Sequence, residues 1–202
     1  MLTSMNTMSI EKRKYELKSR AAAQAQTRER IIAATTGLHK EVGPALTTVS
    51  EVARRAGVQR LTVYNHFPDD AELFGACQAH WMQLHPLPRF DAILAVDEPV
   101  ERLRAALRGY YRWYRETEPM AEKVQRDRGA LPALDALMQR TADARADELA
   151  DALAAGLGSR GQRRALIRLA LDFWTWRRLS HEGIDDDTAA DLMTAAATCA
   201  PG

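Results

Sequence analysis

The sequence predicts an all-α protein of about nine helices in two modules. Three observations carry that expectation. Apolar residues recur at i, i+3, i+4 spacing along nearly the whole chain, Ala, Leu, Arg and Glu dominate, and no period-two alternation marks a strand. Gly and Pro are sparse, 11 and 8 of 202 residues, and cluster where the apolar stripes stop. The chain is 46% hydrophobic and 27% charged, a globular composition, and it has no run of about 18 apolar residues that would span a membrane. The first twenty residues lack an apolar core before a small-residue cleavage site, and Cys77 and Cys199 lie far apart. A reduced, cytoplasmic protein without a disulfide framework is therefore expected.

Residues 1–26 are polar and basic, with good helix formers but a thin apolar face, and read as a flexible basic arm. From Thr27 a stripe of Ile31, Ala34, Leu38 and Val42 marks a helix that ends at Gly43-Pro44. Thr48 and Glu51 form a T-x-x-E capping box for a short helix that stops at Ala56-Gly57. A second short helix spans Gln59–His66, and Pro68-Asp69-Asp70 opens a longer one to about Leu84. His85-Pro86-Leu87-Pro88 is the candidate hinge between modules. Beyond it helices are expected over about 98–117, a short stretch after the break at Glu118-Pro119, about 132–155, about 160–181 and about 186–199.

Two short helices around a glycine turn, with a third buttressing them, make a helix-turn-helix pattern over 27–73. Val52, Ala53 and Ala56 form the inner face of the first, and small Ala53 admits a close crossing. Gly57 supplies the turn, Val58 plugs the gap, and Val63 and Phe67 hold the second helix down. Gln59, Arg60, Thr62, Tyr64, Asn65 and His66 are left outward, a set suited to base edges and phosphates of double-stranded DNA. Charge agrees: residues 1–68 hold eleven Lys and Arg against five Asp and Glu, whereas the remainder holds 17 against 22.

The stretch Arg28–Leu73 resembles the DNA-binding domain of TetR-family transcriptional regulators. The pieces that carry the resemblance are Thr47-Thr48-Val49, Val52-Ala53, Ala56-Gly57-Val58, Thr62-Val63-Tyr64-Asn65-His66-Phe67 and Leu73. It implies phosphate contacts from Thr48, Tyr64 and His66, with Arg60 and Thr62 facing the groove, Arg60 reading a guanine and Gln59 supporting it. It also implies a homodimer and a ligand-binding half over 74–200, the whole acting as a repressor that a small apolar or amphipathic ligand releases from a palindromic operator. Asp70 departs from the pattern, since the family usually has a phosphate-binding Lys there. Arg54, Arg55 or Lys12-Arg13-Lys14 are the candidates to compensate.

In the C-terminal half, Tyr110, Trp113 and Tyr114 share the helix of about 98–117, and with Phe173 and Trp174 they are the candidate pocket lining. Leu166, Ala170, Trp174, Trp176, Leu192 and Ala196 are the candidate dimer interface. At about 100° per residue, Trp174 and Trp176 point to opposite sides of their helix, as a helix between its own bundle and a partner would require. Cys77, His80 and His85 do not amount to a metal site. No catalytic nucleophile motif, phosphate loop or dinucleotide fingerprint is present, so neither catalytic residues nor a cofactor are expected. The alternative is a helical small-molecule-binding protein or enzyme that does not bind DNA.

Overall fold

The computed structural model describes residues 3–158 and 161–199, with side chains from residue 18 onward. Among the described residues every regular element is helical. The N-terminal unit comprises α1 (Thr3–Glu41), a 3-10 turn at Pro44–Leu46, α2 (Val49–Ala56) and α3 (Arg60–His66). α4 (Asp70–Leu84) leads into the larger bundle of α5 (Phe90–Leu94), α6 (Pro99–Asp127), α7 (Pro132–Met138), α8 (Ala144–Gly156), α9 (Gln162–Ala170), α10 (Phe173–His181) and α11 (Asp186–Cys199).

The helix boundaries depart from the sequence reading in four places, each with a local cause. The expected arm boundary at residue 26 falls inside α1, which runs unbroken from Thr3; residues 1 and 2, and the side chains of Lys12, Arg13 and Lys14, lie outside the described residues. Pro119 does not end its helix but sits within α6. Buried Thr117 bonds back to the Trp113 carbonyl at 2.7 Å, and α6 is clasped by α1, α8, α10 and α11. That packing outweighs a proline cost of about 3 kcal/mol. A five-residue π segment, Gln139–Asp143, separates α7 from α8 in what the sequence presents as one helix.

The fourth departure shapes the interior. The helix expected over 160–181 breaks at Leu171-Asp172, where Asp172 adopts extended backbone and caps α10 by accepting from the Trp174 and Thr175 N–H groups. The carbonyls freed at the end of α9 are taken by two tyrosines of α6. The Tyr111 hydroxyl donates to Ala170 at 2.9 Å and the Tyr114 hydroxyl to Leu171 at 2.7 Å.

Two cores result. Ile31, Leu38, Val52, Ala53, Val63, Phe67, Leu73 and Cys77 close the N-terminal unit. Leu103, Leu107, Tyr111, Leu149, Leu153, Ile167 and Trp176 close the bundle. α4 belongs to both units: Leu73 and Cys77 face the first core, while Phe74 packs with Leu134 and Met138 of α7.

Candidate functional site

The helix-turn-helix is built as its residues dictate. Gly57 adopts φ 66° and ψ 41°, the left-handed conformation that costs glycine least, and the chain closes through Val58 N–H to the Ala53 carbonyl at 3.0 Å. Val52, Ala53 and Val63 are buried beneath it. Thr48 caps α2 by accepting from Glu51 N–H at 3.2 Å, but only half of the capping box forms. The Glu51 carboxylate turns away to Arg54, at 2.9 Å from its Nε, instead of reaching back to residue 48. Arg55 is likewise held by Glu41 at 2.8 Å. Both arginines proposed to compensate for Asp70 thus already have carboxylate partners. Asp70 itself is the first helical residue of α4, whose cap is Asp69, accepting from Glu72 N–H at 2.8 Å.

Gln59, Arg60, Tyr64 and Asn65 are exposed on or beside α3, while Thr62 and His66 are half-buried. Arg60 makes no ion pair or hydrogen bond with the described residues, so its guanidinium is available to a partner. Leu61 stands beside it, 66% exposed, an apolar side chain of the kind that fits a thymine methyl group. α1 flanks this surface. The Arg28 guanidinium lies 4.7 Å over the Phe67 ring, and Ala21, Gln24, Ala25 and Arg28 form one wall of a groove whose other wall is Thr62, Asn65 and His66.

The second site is a cavity of about 130 Å³ beneath α4 and α6. Tyr110, Trp113, Tyr114 and Phe173, four of the five expected pocket residues, line it. Trp174 does not; its ring lies against Phe173 and beside the Arg177 guanidinium, 41% exposed. The polar tips of Trp113 and Tyr114 are spent on the His85 and Leu171 carbonyls. Burial pushes the Tyr114 hydroxyl well above the usual phenol range, so it stays a neutral donor. Sequence periodicity did not reveal the remaining wall: Phe74, Gln78 and Trp81 from α4, Met120 and Val124 from beyond Pro119, Leu134 and Met138 from α7, and Arg145 from α8.

His39 reaches the cavity from the last turn of α1. Burial lowers its pKa from 6.5 to about 4, with the Asp127 carboxylate opposing part of that shift. The unfolded chain therefore takes up a proton between those values and the folded chain does not. Stability is expected to fall as pH drops through that window, by on the order of 2 kcal/mol between pH 7 and pH 5. Urea midpoints at the two pH values, in wild type and in His39→Gln, measure it; an equal loss in the variant would assign the effect to other groups.

The interface residues divide. Trp176 and Ala170 are fully enclosed in their own bundle, Trp176 donating through Nε1 to Asp186 at 2.9 Å, so they are packing residues rather than contacts for a second copy. Leu166 is half-buried, whereas Trp174, Leu192 and Ala196 are exposed. Cys77 is buried, which raises its thiol to about 11, and His85 stacks on Trp81 at 4.0 Å. No cluster of three metal-ligating side chains occurs among the described residues, and none of their helices is long and apolar enough to cross a membrane.

Residues 31–77 match the family model of bacterial regulatory proteins, tetR family. No curated protein matches the chain. Among solved structures, a TetR-like transcriptional regulator from Rhodococcus sp. RHA1 is similar at 22% identity and TM-score 0.57, over 85% of this chain and 93% of that one. RolR in complex with resorcinol is similar at 21% identity and TM-score 0.53, over 88% of both chains. A TetR-family regulator from Streptomyces coelicolor is similar at 20% identity and TM-score 0.50, over 86% and 78%. At these identities the likeness is one of fold.

Proposed function

We propose that the chain, whose residues 31–77 match the tetR family model and whose fold is that of TetR-like regulators, is a cytoplasmic TetR-type repressor whose hold on a palindromic operator is released by a small molecule in the cavity. The observation that carries this reading is the double membership of α4. Leu73 and Cys77 are built into the core beneath the recognition helix, while Phe74, Gln78 and Trp81 of the same helix line the cavity. A ligand that displaces α4 shifts α3 with it. Operator half-sites lie about 34–36 Å apart, or a further turn, so a shift of a few ångströms spoils the fit.

Two copies are needed to read a palindrome. Leu169, Trp174 and Leu192, the large apolar side chains that α9 to α11 leave exposed, are the surface for the second copy. Resorcinol in RolR is a single aromatic ring, and a body of that size suits a cavity of about 130 Å³.

The test is at the recognition helix. Arg60→Ala is expected to weaken binding to the DNA upstream of its own gene by about 1–3 kcal/mol and to blur one base pair per half-site. Tyr64→Phe is expected to weaken binding to all sequences alike, since a phosphate contact carries no sequence information. Gel shifts at fixed salt measure both. Unchanged affinity in the two variants would remove α3 from the interface.

A further inference from the structure

We propose that the ligand of the cavity is a small monocarboxylate, its acid group held by Arg145 and Tyr110 and its apolar body by the surrounding wall. The inference rests on the cavity being the ligand site, as argued above, and adds the chemical class.

Among the described residues lining the cavity Arg145 is the one Lys or Arg, and none is Asp or Glu. Several other arginines of the bundle find carboxylates: Arg128 pairs with Asp135 and Asp143, Arg164 with Asp151, Arg168 with Asp147 and Arg177 with Glu122, whereas Arg102 bonds the Val96 and Asp97 carbonyls. Arg145 forms no ion pair among the described residues. One Nη donates to the Pro88 carbonyl at 3.0 Å, and the guanidinium lies 6.0 Å from the Phe90 ring. Its Nε–H is buried with no acceptor; the Nε–H groups of Arg108 and Arg177 also lack one, but each faces a carboxylate, at 3.2 Å from Asp187 and 3.5 Å from Glu118. A buried N–H without an acceptor is costly, more so on a charged group, and native interiors seldom leave one so. A carboxylate satisfies a guanidinium through two parallel N–H bonds, a geometry that a neutral hydroxyl or amide matches less well.

Tyr110 adds a second donor. Its ring is buried against the cavity, and its hydroxyl, unlike those of Tyr111 and Tyr114, has no hydrogen-bond partner among the described residues. The rest of the wall is largely apolar, with Phe74, Trp81, Met120, Leu134 and Met138 prominent. A dry cavity of about 150 Å³ accepts benzene, so a volume of about 130 Å³ selects acids with one ring or a short chain.

The experiment pairs each acid with its neutral isostere, benzoate with benzamide and hexanoate with hexanamide, by calorimetry on the full-length protein at neutral pH. Wild type is expected to bind at least one acid tenfold or more tighter than its amide. Arg145→Met is expected to lose that preference while still binding the amide, and Arg145→Lys, which keeps the charge without the fork, to fall between. Circular dichroism melts establish that each variant is folded, and the lysine variant decides the matter where the methionine variant is not. Equal binding of acid and amide by wild type, or an acid preference that survives in both variants, would overturn the carboxylate inference while leaving the cavity as the ligand site. Failure of all four probes to bind wild type that still shifts its own upstream DNA would overturn the carboxylate inference, with DNA binding intact.

Discussion

Trp176→Asp is expected to leave little folded protein, whereas Trp174→Asp is expected to yield a folded chain that no longer pairs. Trp176 is wholly enclosed, its ring within 5.6 Å of both Tyr114 and Phe173, with the Arg115 guanidinium 5.5 Å away and the indole N–H on Asp186. Removing a buried Trp ring alone costs about 3–5 kcal/mol. The introduced carboxylate would also sit beside Asp186, itself held below the usual carboxylate range although burial opposes its charge, because Arg115 and the Trp176 indole hydrogen-bond to it. Against a total stability of about 5–15 kcal/mol, the sum is enough to unfold the bundle. Trp174, two residues away, gives up only edge contacts with Phe173 and Arg177, a loss of about 0.5–1 kcal/mol. Circular dichroism melts and sedimentation at micromolar concentration separate the two outcomes. A cooperative, unshifted melt for Trp176→Asp would contradict its place in the core, and a Trp174→Asp dimer would move the pairing surface elsewhere.

The opposite facing of these two indoles was legible from their spacing, but which one faced the core was not. Helical periodicity fixes relative directions along one helix, and only the packing of α6 and α11 against α10 assigns one side to the interior. Ala170 shows the same limit: a small residue permits close approach, and the neighbour proved to be the bundle itself. The helix-turn-helix was legible almost residue by residue, because Ala53, Gly57, Val58 and Val63 act over a few positions of local backbone. The cavity was legible only in part. Tyr110 and Tyr114 stand on one stripe with Trp113 beside it, but Gln78, Trp81 and Arg145 come from helices that meet only in three dimensions. Asp172 carried a usable signal, an N-cap residue followed by Phe173-Trp174, yet the apolar stripe across it reads as unbroken helix. Pro119 erred in the other direction, since a proline rule weighs about 3 kcal/mol locally and cannot count the neighbours that clasp α6.

Gly43→Ala is expected to destabilise the protein by about 2–4 kcal/mol and to loosen the junction between its two units. Gly43 lies between α1 and the 3-10 turn at φ 100° and ψ 158°, a conformation that side-chain-bearing residues rarely adopt. A Cβ there would meet the Arg126 Nη and the Asp127 carboxylate, each at 2.5 Å. The arginine tip can swing aside, but Asp127 cannot move freely. Its short, buried side chain accepts from Ala45 N–H at 3.0 Å and from Arg126 Nε at 2.7 Å. Displacing it strands the Ala45 N–H and breaks a direct tie between the end of α6 and the turn ahead of α2. Burial disfavours the Asp127 charge, yet those bonds and the Arg126 cation outweigh it and hold the carboxyl below its usual range. The stability this tie contributes is therefore present at neutral pH and lost only as pH falls through that lowered value. Gly129→Ala is the matched control, because a Cβ there meets nothing within 4 Å and the backbone is ordinary; it is expected to stay within about 0.5 kcal/mol of wild type. Urea denaturation gives the magnitudes, and amide exchange across residues 43–47 locates the loss. If the two variants melt alike, or exchange at that turn is unchanged, the contact between Gly43 and Asp127 does not hold the units together.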